Sequence, residues 1–194
     1  MEIFRGKSRE EWHNWLMENF ETGTEIWLVF PAKGSGEKSL SYNDAVEEAL
    51  CFGWIDGRTN VLDETHLMRR FTPRRKGSRY SRTNIERLIR LDAMDLIHPK
   101  IRPLVEPILS APFVFPEDIL IELQKDETVW NNFRAFPEDY QRIRAAHVEA
   151  ARKQPEEFQK RLRNLIRKTR ENKRITAHGG IGPDPKAEQD GEDT

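Results

Sequence analysis

The chain has 194 residues, 37% of them hydrophobic with five Trp and ten Phe, enough for one ordinary domain or two small ones with a packed core. Charged residues make up 34%, with 32 Lys and Arg against 33 Asp and Glu, so net charge alone points to no polyanionic partner. The single Cys51 cannot close an internal disulfide, Met1 is followed by no apolar leader, and the longest apolar runs, such as Ile26–Phe30, fall far short of the about 20 residues a membrane helix needs.

Ser8 and Glu11 form a capping-box pattern, and behind them Trp12, Trp15, Leu16 and Phe20 recur at helical spacing, so a first helix is expected to end at Thr22-Gly23. Glu25–Phe30 reads as a buried strand closed by Pro31 and the Gly34-Ser35-Gly36 loop. Ser41 is placed to cap a second helix that buries Ala45, Val46, Ala49 and Leu50 and stops at Gly53. Trp54–Asn60 and His66–Thr72 read as a hairpin around Leu62-Asp63-Glu64, and Thr83 with Glu86 as the capping box of a third helix through Ile85, Leu88 and Ile89.

Prolines at 99, 103, 107, 112 and 116 mark a connector with room for one short helix. Helices are expected to open at Pro116, Glu127, Pro137 and Pro155. The last has an apolar stripe of Phe158, Leu162, Leu165 and Ile166 on an otherwise charged rod. The tail from Thr176 is acidic and lacks core-forming residues, which predicts disorder. The expected architecture is α+β: a small antiparallel sheet packed by helices in the N-terminal half, followed by a helical C-terminal part. Its divisions are an α+β domain at 1–98, a Pro-rich connector at 99–116, a helical region at 117–175 and a tail at 176–194.

Glu11-Trp12-His13-Asn14-Trp15-Leu16, Ile26–Phe30, the long run Ala45–Gly57, Arg70-Phe71-Thr72-Pro73-Arg74, and Ser78, Ser81 and Asn84 together resemble the YdeI/OmpD-associated family. The likeness runs from Phe4 to Arg90 and more loosely through the C-terminal helices. Tyr80 stands where members of the family usually carry tryptophan, and Glu156-Glu157-Phe158 replaces their usual Glu-Thr-Arg cluster. The resemblance implies a link to protection against bacteriocins or antimicrobial peptides, and specifies neither ligand nor chemistry.

The strongest chemical signal lies between Arg69 and Arg90, where nine basic residues face one acid, Glu86. Guanidinium groups bind phosphate and carboxylate bidentately, and the N-terminus of the following helix also favours an anion. Arg70, Arg74, Arg75, Arg79, Tyr80, Ser81 and Asn84 are therefore the expected anion-binding residues, with Tyr80 available to stack on a ring. A solvated basic hairpin paired to acidic helices is the bland alternative.

Asp56, Asp63 and His66 are the candidates for acid–base chemistry, although turn formation accounts for the two aspartates more simply. Cys51 sits at an apolar helix end and reads as a small hydrophobe. The five histidines have no metal-ligand spacing, and no phosphate loop or nucleophile elbow is present, so neither metal nor cofactor is expected. The leading expectation is a cytoplasmic, non-enzymatic protein, without membrane insertion, that engages an anionic small molecule, nucleic acid or acidic protein surface. The alternatives are an enzyme acting on a phosphorylated or carboxylated substrate, and an interaction module using the C-terminal helices.

Overall fold

A computed structural model describes residues 2–32, 36–37 and 39–176. The tail expected beyond Thr176, and Gly34 and Ser35 of the glycine loop, lie outside the described residues. The elements in order are β1 (Ile3–Phe4), α1 (Arg9–Asn19), β2 (Ile26–Pro31), α2 (Tyr42–Cys51), β3 (Trp54–Val61), β4 (His66–Pro73), α3 (Arg82–Ala93), α4 (Arg102–Leu109), α5 (Glu117–Gln124), α6 (Glu127–Ala135), α7 (Glu138–Glu149) and α8 (Pro155–Arg170). The described residues divide into two compact units: one holds those up to Tyr80 with Arg87–Leu109, the other Ser81–Glu86 with residues 110–176.

The first unit is the α+β part. Its four strands lie in the order β1-β2-β4-β3. The β3–β4 hairpin and the β2–β4 pair are antiparallel, as the sequence led us to expect. The two-residue β1 adds a parallel edge against Trp27 and Leu28, so the whole sheet is mixed. Strand β2 is buried on both faces, which is why it reads as an unbroken apolar run. Its Ile26 and Leu28 enter the main core, whereas Trp27 and Val29 join Met68 in a smaller cluster. The main core gathers Trp12 and Leu16 of α1, Ala45, Val46, Ala49, Leu50 and Cys51 of α2, Trp54, Phe71, Leu88 and Leu91. Its buried indoles keep their N–H groups satisfied: Trp12 donates to the Ala45 carbonyl at 3.1 Å and Trp54 to the Phe20 carbonyl at 3.1 Å.

The helix starts follow local chemistry. Ser8 accepts from the Glu11 N–H at 3.2 Å, and the Glu11 carboxylate reaches back to the Lys7 N–H at 2.8 Å, one residue earlier than an ideal capping box. Ser41 accepts from the Asp44 N–H at 3.1 Å. Gly53 ends α2 at a φ of 72°, which a side chain would strain. At α3 the cap is Ser81, which accepts from the Asn84 N–H at 3.3 Å; Thr83 was the expected cap. Glu86, the expected partner of that box, instead holds Arg82 and Arg142.

The second unit packs α5 to α8 around Ile119, Leu123, Val129, Phe133, Val148, Phe158, Leu162 and Leu165. Pro155 stands in the first turn of α8, while Pro116 and Pro137 sit one residue before the helices they open. No helix among the described residues is long and apolar enough to cross a membrane.

Candidate anion-binding site

The arginines between 69 and 90 do not form one basic face, because five of them meet acids. On β4, Arg69 donates to the Asp56 carboxylate at 2.7 Å and to the Tyr42 hydroxyl at 3.0 Å, with its guanidinium carbon 4.4 Å from the centroid of the Tyr42 ring. Tyr42 in turn donates to Asp56 at 2.8 Å; burial, helped by that carboxylate, pushes the phenol up to about 12. Arg70 pairs with Glu25 at 2.6 Å. Hydrogen bonds from the Trp27 indole and from Arg70 hold the Glu25 carboxyl below its ordinary range.

Arg87 and Arg90 point into the first unit, where α2 carries two buried carboxylates. Glu47, only 1% exposed, pairs with Arg90, lies 3.9 Å from the Arg87 Nε and 3.5 Å from Arg9. Arg9 also binds Glu48 at 2.5 Å and Asp44 at 3.3 Å, and His13 lies 3.0 Å from Glu48. Burial raises the Glu47 carboxyl, against the pull of its three arginines. In the second unit, Arg82 and Arg142 both hold Glu86.

What remains is the turn between β4 and α3. The Arg74 guanidinium carbon lies 3.5 Å from the centroid of the Tyr80 ring, and its Nη2 donates to the Arg79 carbonyl at 2.5 Å. Its Nε is buried and has no acceptor among the described residues. Burial lowers the Arg74 pKa and raises that of Tyr80. The Arg74 N–H donates to the Gly53 carbonyl at 2.9 Å, and the turn reverses at Gly77 with a φ of 77°. Arg75, Lys76 and Arg79 are exposed on this turn and form no ion pair among the described residues.

Of the seven expected anion-binding residues, the turn brings together Arg74, Arg75, Arg79 and Tyr80. Arg70 is held on the sheet by Glu25, and Ser81 and Asn84 belong to the second unit, where the Ser81 hydroxyl caps α3.

The acid–base candidates fall into two separate networks. Asp56 is held between Tyr42 and Arg69. Asp63 closes the hairpin turn, accepting from the Thr65 N–H at 2.8 Å, and its oxygen lies 2.9 Å from His66 Nδ1. These bonds, the backbone one foremost, lower the Asp63 carboxyl to about 2. The other ring nitrogen of His66 lies 3.1 Å from Glu37, and the two carboxylates raise the imidazole pKa. Among the described residues no three His, Cys, Asp or Glu side chains gather as a metal cage. Cys51 is buried in the core, and that burial pushes its thiol up.

Residues 4–103 match a family model described as a domain of unknown function (DUF8412), just over half of the chain. The chain belongs to the DUF8412 family. Residues 112–172 of this DUF8412 protein, which lie in the second unit, match the model described as Bacteriocin-protection, YdeI or OmpD-Associated. The family expected from the sequence is therefore shown, over the C-terminal helices; the N-terminal stretches that suggested it fall within the DUF8412 match. Neither a curated protein nor a solved structure matches the chain.

Proposed function

We propose that this DUF8412 protein is a binding protein whose turn Arg74–Tyr80 holds an oxyanion, phosphate or carboxylate, without itself carrying out a reaction. Arg74 carries the reading. Its guanidinium is fixed in orientation by the Tyr80 ring and the Arg79 carbonyl, yet its buried Nε lacks an acceptor among the described residues. A buried donor without a partner is costly, and an anion that reached this guanidinium would offset that cost. Arg75, Lys76 and Arg79 add positive charge that no carboxylate among the described residues neutralises. An anionic small molecule, a nucleic acid or an acidic protein surface each supplies the required oxygens.

The enzymatic reading has less support. An Asp63 carboxyl lowered to about 2 is a poor proton carrier near neutrality, and Asp56 already accepts from two donors. Bacteriocin protection, which the matched family description names, extends to this chain as part of the same proposal. A basic turn repels cationic peptides, so protection acting through it requires an anionic partner.

Isothermal titration with inorganic phosphate, pyrophosphate and an acidic peptide tests the reading. Arg74→Ala and Arg79→Ala are expected to weaken binding by about 1.5–3 kcal/mol each, the worth of hydrogen bonds to charged groups. Lys153→Gln, on the second unit and exposed, is the control. No binding of any anion, or equal affinity in all variants, returns the turn to a solvated basic loop.

A further inference from the structure

A second concentration of positive charge lies on α8. Between positions 160 and 174 the chain has eight Lys and Arg and one acid, Glu171. Lys160, Arg163, Arg167 and Arg170 follow one another at steps of three or four residues, so they share one side of the helix. That side is open: the Lys160, Arg167 and Arg170 side chains are 75%, 57% and 58% exposed. The row from Lys160 to Arg170 runs about 15 Å along the axis, at about 1.5 Å per residue.

We infer that the outer face of α8 is a track for the sugar-phosphate backbone of a nucleic acid. The shape of the charge favours this partner over a compact anion, because a straight row of cations matches a polymer with a phosphate at every step. A membrane surface is a poor fit: the apolar side of α8, with Phe158, Leu162 and Leu165, is buried in the core of the second unit and cannot enter a bilayer interface. The acids that touch the row compete weakly with phosphate. Lys160–Glu157 at 3.6 Å, Arg167–Glu171 at 3.2 Å and Arg170–Asp126 at 3.0 Å are exposed surface pairs, and such pairs contribute little. Arg163 forms no ion pair among the described residues. The row itself consists of Lys160, Arg163, Arg167 and Arg170 and carries no aromatic side chain, so the contact is with the backbone and independent of sequence.

Fluorescence anisotropy of a labelled oligonucleotide, single-stranded and as duplex, with the full chain over a salt series is the test. Binding is expected to fall with salt at a log–log slope of about −2 to −4, as three or four phosphates release their counterions. The triple variant Lys160→Gln, Arg163→Gln, Arg167→Gln should bind at least about tenfold more weakly with a slope shallower by about 2 to 3, since each of three lost phosphate contacts removes about 0.7–0.9 units. Arg163→Lys with Arg167→Lys should keep the slope, and Lys153→Gln, exposed and outside α8, should leave oligonucleotide affinity unchanged. Should the triple variant not fold, Arg163→Glu alone reads the same effect. Absence of oligonucleotide binding, equal affinity and salt slope in the wild-type chain and the triple variant, or binding to phosphatidylserine vesicles but not to oligonucleotides overturns the inference. The proposal for the Arg74–Tyr80 turn stands or falls separately, on phosphate binding.

Discussion

The Arg74 guanidinium rests on the face of the Tyr80 ring, its carbon 3.5 Å from the ring centroid, and this contact ties the end of β4 to a residue two positions before α3. A cation over an aromatic face is worth about 0.5–2 kcal/mol, with the higher end reached when both groups lose water. Tyr80→Leu keeps much of the bulk and removes the π face. It is expected to lower stability by about 0.5–1 kcal/mol in urea denaturation and to weaken phosphate binding, because Arg74 loses its fixed orientation. Tyr80→Trp should preserve both, since indole is the better cation partner. Equal loss in both variants would show that shape alone holds the turn.

Glu47 joins three segments through Arg9, Arg87 and Arg90, so its removal leaves guanidinium groups in a buried site without their common carboxylate. Breaking a buried ion pair from one side costs about 3–5 kcal/mol. Glu47→Ala is expected to lose stability on that scale in chemical denaturation. Glu122→Ala, whose partner Lys125 is 63% exposed, should lose almost nothing.

Cys51 offers a check on the core. Its thiol is 1% exposed and burial shifts it away from the thiolate form. Native protein should not react with a chromogenic disulfide reagent, and the same sample in guanidinium chloride should release one equivalent. Rapid labelling without denaturant would mean that α2 opens locally.

Most of the fold was legible because its signals are local. The Ser8 and Ser41 caps, the positive-φ Gly53 and the apolar run of β2 each act within a few residues, and each fixes an element boundary. The two-residue β1 left no mark, since two residues carry no periodicity. The basic block was legible only as a count. Which arginines are neutralised depends on acids distant in sequence, such as Glu25 for Arg70 and Glu47 for Arg90, and spacing alone does not reveal those pairs. On α2 the expected core was Ala45, Val46, Ala49 and Leu50, because charged residues are usually exposed, yet the helix is buried on every side from Ala45 to Cys51, Glu47 and Glu48 included. The basic side of α8 was open to the same counting and was read as a generally charged rod.

At the hairpin tip, His66 stands between Asp63 and Glu37, with ring nitrogen to oxygen distances of 2.9 and 3.1 Å. The two carboxylates raise the imidazole pKa above its ordinary 6.5, Asp63 foremost. A raised histidine contributes stability fully below 6.5 and loses it as pH rises through the raised value. The Asp63 carboxyl is lowered from 3.8 to about 2, so its contribution is present above 3.8 and is lost as pH falls through about 2. The clamp is therefore complete between about pH 4 and the ordinary histidine value, and weakens on either side. Both groups lie at the surface, so the effect is local and global stability is a poor readout. Nuclear magnetic resonance of the His66 ring is the direct one: its titration midpoint is expected above 6.5 in the native protein. Asp63→Asn should lower that midpoint, and Glu37→Gln should lower it less, following the order of the two partners. An unshifted His66 whose midpoint ignores both substitutions would mean that the ring faces water and neither carboxylate holds it.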